Sequence, residues 1–256
     1  MNDSDFLTHV TDRLSDLAGV QAVALGGSRA QGTNRPDSDW DLAIYYRDAF
    51  NPQDLRDVGW SGDVFEIGGW GGGVFNGGAW LEFDGRHVDV HYRDLTSVEL
   101  EMKEALAGRF RIEQLMFHLA GIPSYLIVAE LALGQTLKGD LPHPTYPSAL
   151  RGSAPDVWWQ RAERLFDYAR SAYATRELSA QCIGMAVQAA CCAAHATFAA
   201  RGQWITNEKS LLSRVDLAGL NQIVTVAEPS VATLENVVDR ARQLCLSTLT
   251  ESKNAP

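Results

Sequence analysis

Asp39 and Asp41 stand on either side of Trp40, at the head of the apolar run Leu42-Ala43-Ile44-Tyr45-Tyr46. In an extended chain successive side chains leave opposite faces. Both carboxylates therefore leave one face, while Trp40 and Leu42 leave the other. Such a strand has one face suited to a core and one that a core cannot close over, because like charges side by side repel and raise each other's pKa. Two solvated acids on an edge strand would satisfy the pattern. So would a hard divalent cation such as Mg²⁺, which takes carboxylate oxygens together with substrate phosphates.

The neighbouring segments favour the cation. Val20 to Leu25 reads as a short strand running straight into Gly26-Gly27-Ser28. Small residues after a strand let backbone approach a phosphate closely. Later, Arg86 to Tyr92 alternates His87, Asp89 and His91 on one face with Val88 and Val90 on the other. Asp84-Gly85 just before it is a strong hairpin signal joining Ala79–Phe83 to this strand. Asp89 thus becomes a third inward-reading acid, and three carboxylates on neighbouring strands can hold two metal ions for in-line phosphoryl transfer. His87 and His91 share its face, but Mg²⁺ prefers oxygen, so packing or hydrogen bonding is the reading for both.

Along the rest of the chain, residues 5–18 alternate at helical spacing and Gly19 ends that helix. Gly68 to Gly78 holds seven glycines in eleven positions, which predicts a mobile loop flanked by Trp70 and Trp80. Ser97–Leu106 reads as helix, and Tyr125–Leu133 as a buried strand or short helix. Residues 140–155 contain four of the nine prolines, a linker composition. Helices are expected at roughly 156–173, 178–201, 207–214 and 231–249. A small mixed sheet followed by helices predicts an α+β fold, divided into a sheet domain at 1–142 and a helical domain at 143–256.

Composition sets the outer limits. At 46% apolar and 21% charged the chain can bury a core, which excludes a disordered protein. With 22 basic and 32 acidic residues the net charge is −10, which argues against coating a nucleic acid and suits a cationic small molecule or a nucleotide carried with its metal. The N-terminus carries acids where a secretory signal needs basic and apolar residues. Ile183 to Ala200 reads as a buried helix rather than a membrane span, with His195 as a core histidine and Trp158 in a core stripe. Cys182, Cys191, Cys192 and Cys245 form no CxxC pair, and buried thiols in a reducing cytoplasm are the expectation.

The run GGSRAQG, then DSDWDL, then a later VDV resembles the DNA-polymerase-β-like nucleotidyltransferase superfamily over roughly residues 18–95. The two-domain layout is similar to that of the antibiotic nucleotidyltransferases of the kanamycin type. The resemblance implies Asp39, Asp41 and Asp89 as ligands of two Mg²⁺ ions, Gly27 and Ser28 on the β/γ-phosphates with Arg29 assisting, and Lys209 reaching the triphosphate from the helical domain. Helix segment ERLFDYA resembles the place of the general base, which would be Asp167, with Glu163 in reserve. A solvated Asp167 paired with Arg164 or Arg170 is the alternative. The implied activity is transfer of an NMP, AMP from ATP foremost, to a hydroxyl of an aminoglycoside-like acceptor held between the domains. A protein hydroxyl, an RNA end, or an inactive nucleotide-sensing module are the competing readings.

Overall fold

The computed structural model describes residues 1–115 and 117–254, which divide into two compact units. The first comprises residues 1–104 and 123–145; the second comprises 105–122 and 146–256. The expected single cut at 142/143 falls close to the second crossing, but residues 105–122 belong with the helices. Their attachments explain this. The Glu208 carboxylate accepts from the backbone N–H of Leu119 and Ala120 at 2.6 and 2.9 Å, Gln188 donates to Leu119 O, and Ser153 donates to Gly108 O.

In chain order the elements run α1 (Asp3–Ser15), β1 (Val20–Leu25), α2 (Gly27–Ala30), β2 (Trp40–Tyr46), α3 (Pro52–Arg56), β3 (Ser61–Val64), β4 (Gly78–Phe83), β5 (Arg86–Asp94), α4 (Leu95–Leu106), β6 (Ile112–Glu113), β7 (Ile122–Pro123), α5 (Leu126–Leu133) and β8 (Gln135–Lys138). The second unit adds α6 (Ser148–Tyr168), α7 (Ser179–Ala200), α8 (Leu211–Arg214), α9 (Leu220–Ile223) and α10 (Val231–Asn254). The ambiguous segment 125–133 is thus helix, and its near-continuous apolar run is a buried one.

The first unit is a six-stranded mixed sheet in the order β3-β4-β5-β2-β1-β8, with β2 and β5 parallel and the other pairs antiparallel. Phe6, Val10 and Leu14 of α1 pack on Leu25, Trp40, Leu42, Ile44, Val88 and Val90. Each such side chain contributes about 1.5–3 kcal/mol of transfer free energy. The hairpin between β4 and β5 turns on Asp84 and Gly85, both at positive φ (51° and 70°), the conformation that pairs Phe83 with Arg86.

In the second unit α7 packs against α6 and α10. Its alanines let helix axes approach closely, and Ala189 to Ala200 are all buried. It is long and apolar enough to cross a membrane by length and composition, yet most of that surface is buried within the unit. Trp158 is fully buried and its ring stacks on His195 at 4.5 Å, as expected of two core residues. All four cysteines are free and buried. Helix α6 starts at Ser148, inside the stretch read as linker. Pro155 costs it one backbone bond, and tertiary bonds such as Arg151 Nε to Ala200 O (2.8 Å) hold the first turns in place.

Candidate active site

The parallel pairing of β2 with β5 sets Asp41 directly beside Asp89. Trp40 and Leu42 face the α1 core, so Asp41 leaves the opposite face, and Val88 and Val90 direct Asp89 to that same face by the same alternation. Both acids are half-buried, whereas Asp39, one residue ahead of β2, is exposed.

The Gly26-Gly27-Ser28 turn is fastened to this strand. Gly26 N–H donates to Asp41 O at 2.7 Å. Gly27 has φ +60°, and a Cβ there would lie 1.7 Å from Asp41 Oδ2. Only glycine permits that conformation with the carboxylate so close. Ser28 follows in the first turn of α2, so the turn and the acid of β2 occupy one place on the sheet.

Arg29, expected to assist at the phosphates, is held by the segment that leads into β2. Its guanidinium donates to Ser38 O (3.1 and 2.8 Å) and Asp39 O (3.2 Å), lies 4.0 Å over the Trp40 ring, and pairs with Asp3 at 3.7 Å. These contacts fix the segment on which Asp39 stands.

A cavity of about 410 Å³ opens on the acidic face, lined by Asp39, Asp89, Trp80, Glu82 and His87 among others. A larger cleft of about 540 Å³ between His9, Trp60 and Phe83 contains none of the three site acids. The glycine-rich segment is folded onto the sheet rather than free of it. Trp70 stacks under Trp80 (5.7 Å between centroids), meets His91 edge-on (5.5 Å) and leaves no room for a Cβ at Gly78. Asn76 donates to the Tyr46 hydroxyl at 3.1 Å.

Behind Asp89 the same face closes over a buried ion pair. Arg93 binds Glu130 of α5 through Nε and Nη2 at 2.6 and 2.7 Å, and a third bond reaches Tyr92 O. Burial alone would weaken both charges, but the pairing wins: Glu130 is held below, and Arg93 above, its ordinary value. His91 accepts from Arg93 at 3.4 Å, and burial pushes its imidazole down to about 4. It is therefore neutral at ordinary pH, in keeping with the packing role expected of it.

Asp39, Asp41 and Asp89 present only hard oxygen donors, the chemistry Mg²⁺ requires, and the Gly27 cradle leaves the space beside Asp41 free of side chain. Among the described residues no trio of His, Cys, Asp or Glu side chains already stands in a metal-holding array.

Asp167 and Lys209 lie in the helical unit, and both are exposed. Asp167 stands 3.6 Å from Arg242, which binds Glu163 more closely at 2.6 and 3.0 Å. The partner is thus an arginine of α10, not the nearby Arg164 or Arg170; Arg170 pairs with Glu235 and Asp239. The backbone N–H of Lys209 donates to Asn207 Oδ1 at 3.1 Å.

Sequence reasoning missed Glu82 and the Arg93–Glu130 pair. The hairpin register could have found Glu82: a two-residue turn at Asp84-Gly85 pairs 82 with 87 and 80 with 89.

Residues 7–118 match a family model described as a nucleotidyltransferase domain. No curated protein matches the chain. Among solved structures, a nucleotidyltransferase-like protein from Exiguobacterium sibiricum 255-15 matches at 10% identity and a TM-score of 0.46, covering 97% of this chain and 77% of that one.

Proposed function

We propose, from the premise that the chain carries a nucleotidyltransferase domain of the DNA-polymerase-β-like superfamily, that it transfers an NMP from a nucleoside triphosphate, ATP foremost, to a hydroxyl of a cationic, aminoglycoside-like small molecule. The observation that carries this reading is the register of Asp41 with Asp89 beneath the Gly27 turn. It brings a close-approach backbone and two same-face carboxylates to one point.

In the reaction the acceptor oxygen forms a bond to the α-phosphorus, the bond from that phosphorus to the bridging oxygen breaks, and pyrophosphate leaves. Gly27 and Ser28 hold the β/γ-phosphates, and Lys209 offsets triphosphate charge. Asp39, Asp41 and Asp89 would hold two Mg²⁺ ions, which supply positive charge at the reacting oxygens. Asp167 receives the acceptor proton as general base. The net charge of −10 supports a cationic acceptor, since an acidic surface raises its local concentration.

The test is incubation with labelled ATP or GTP, Mg²⁺ and a panel of aminoglycosides and lincosamides. A mass gain of one NMP on an acceptor, with release of pyrophosphate, is expected. Absence of both product and Mg²⁺-dependent nucleotide binding would sink the reading.

A further inference from the structure

We infer that Trp80 is the platform on which the acceptor lies, and that the acceptor places an amine-bearing ring there. This deepens the proposed transfer reaction and rests on it for the direction of attack.

Trp80 is the register partner of Asp89, so its indole leaves the sheet on the acidic face, next to that carboxylate. It is 46% exposed. Yet it is fixed: Trp70 stacks against it at 5.7 Å and Phe65 meets it edge-on at 4.8 Å. An aromatic ring held from behind and open in front is a preorganised binding surface. It lines the cavity of about 410 Å³ with Asp39 and Asp89, so its occupant adjoins two of the three site acids.

The order of strands decides which substrate sits there. Across the sheet the Gly26–Ser28 turn follows β1, Asp41 is on β2, Asp89 on β5 and Trp80 on β4, and these strands are consecutive neighbours. In an in-line displacement the entering oxygen and the leaving group stand on opposite sides of phosphorus. With pyrophosphate leaving over the turn at the β1 side, the hydroxyl enters from the β4 side, where Trp80 stands.

The surroundings decide its chemistry. Glu82 shares the face two residues along β4 and lines the same cavity, and Asp63 of β3 is the register partner of Trp80 on its other side. An indole among carboxylates attracts a cation over its ring and repels an anion.

The test measures binding by titration calorimetry with kanamycin as the amine-bearing ring, myo-inositol as its neutral counterpart, and Mg²⁺·ATP in a parallel arm. Wild-type protein, Trp80→Ala and Trp80→Phe are compared, with thermal melts to confirm that each is folded. Kanamycin should bind wild-type protein, bind Trp80→Ala about 10-fold more weakly, and regain much of that in Trp80→Phe. Myo-inositol should bind none of them, and Mg²⁺·ATP should bind wild-type and Trp80→Ala alike. Failure of wild-type protein to bind kanamycin, or equal kanamycin affinity in Trp80→Ala, overturns the inference. So does a loss confined to Mg²⁺·ATP, which would make Trp80 the nucleobase platform. If wild-type protein binds no Mg²⁺·ATP while the kanamycin arm behaves as expected, the platform stands and the transferase reading falls.

Discussion

Both units pair surface acids with arginines and lysines, but the sheet unit also sets two acids side by side in register. On the helical unit carboxylates meet arginines and lysines: Glu163 and Asp167 with Arg242, Glu235 and Asp239 with Arg170, Asp156 with Lys253. These are exposed or partly exposed pairs, each contributing about 0–1 kcal/mol. On the sheet unit the register of β2 and β5 sets Asp41 beside Asp89, like charge against like charge, with Gly27 pressed onto one of them. Packing did not require that placement, since Ala43 occupies the same face two residues later. Two carboxylates at one register position, on the strand that the Gly27 turn is fastened to, suit a positive ligand.

The strongest way to break this contrast is to remove one of the sheet acids. Asp41→Ala and Asp89→Ala should each lower turnover by roughly 10³-fold or more, because each withdraws metal-binding charge from the reacting phosphate. Thermal stability should change little, since neither side chain is fully buried. Steady-state kinetics and a melting curve on the same samples check both halves. Near-wild-type turnover in either variant would remove that residue from the site.

Glu130 of the sheet unit is matched like the acids of the helices, but in a buried setting. Glu130→Ala leaves Arg93 buried without its partner and should cost about 3 kcal/mol of stability or more, read from denaturant unfolding. The sign of the pH effect follows from the same pair. Glu130 is held below its ordinary carboxylate value of 4.5, so its contribution is complete above that pH and is lost as pH falls through the lowered value. The acid limb of wild-type stability should be shallower in the variant.

Asp167 tests whether the helical unit is only a paired surface. As general base it should be worth at least about 10²-fold in kcat. Asp167→Asn should show that loss, keep Mg²⁺-dependent ATP binding, and lack the acidic limb of the pH–rate profile. An unchanged rate and limb would reduce Asp167 to what its contact with Arg242 already makes it, a solvated acid.

Much of the sheet unit was legible because period-two alternation and a two-residue turn are local signals. The shared face of Asp41 and Asp89 and the Asp84-Gly85 hairpin follow from spacing alone. What was not legible depends on partners distant in sequence. Arg93 and Glu130 are 37 residues apart, and nothing near either names the other. The first turns of α6 were hidden by Pro155, whose lost bond is outweighed by contacts such as Arg151 to Ala200. Residues 105–122 read as part of the sheet domain until Glu208 is seen to bind their backbone. The glycine count suggested a mobile loop, but glycine also makes room, and at Gly78 the room is filled by Trp70.

The smallest expected effect sharpens the contrast within the phosphate turn itself. Gly27 acts by what it lacks, and Ser28 would act by a single hydroxyl. The Ser28 backbone is already engaged, its carbonyl accepting from Thr33 N–H at 3.0 Å, so the side chain can be removed without disturbing the turn. A lost neutral hydrogen bond costs about 0.5–1.5 kcal/mol, which is about a two- to tenfold rise in KM for the triphosphate with kcat little changed. Ser28→Ala should show that rise and leave the KM of the acceptor where it was. If the acceptor KM moves and the triphosphate KM does not, the turn holds the other substrate, and the direction of attack across the sheet must be reversed.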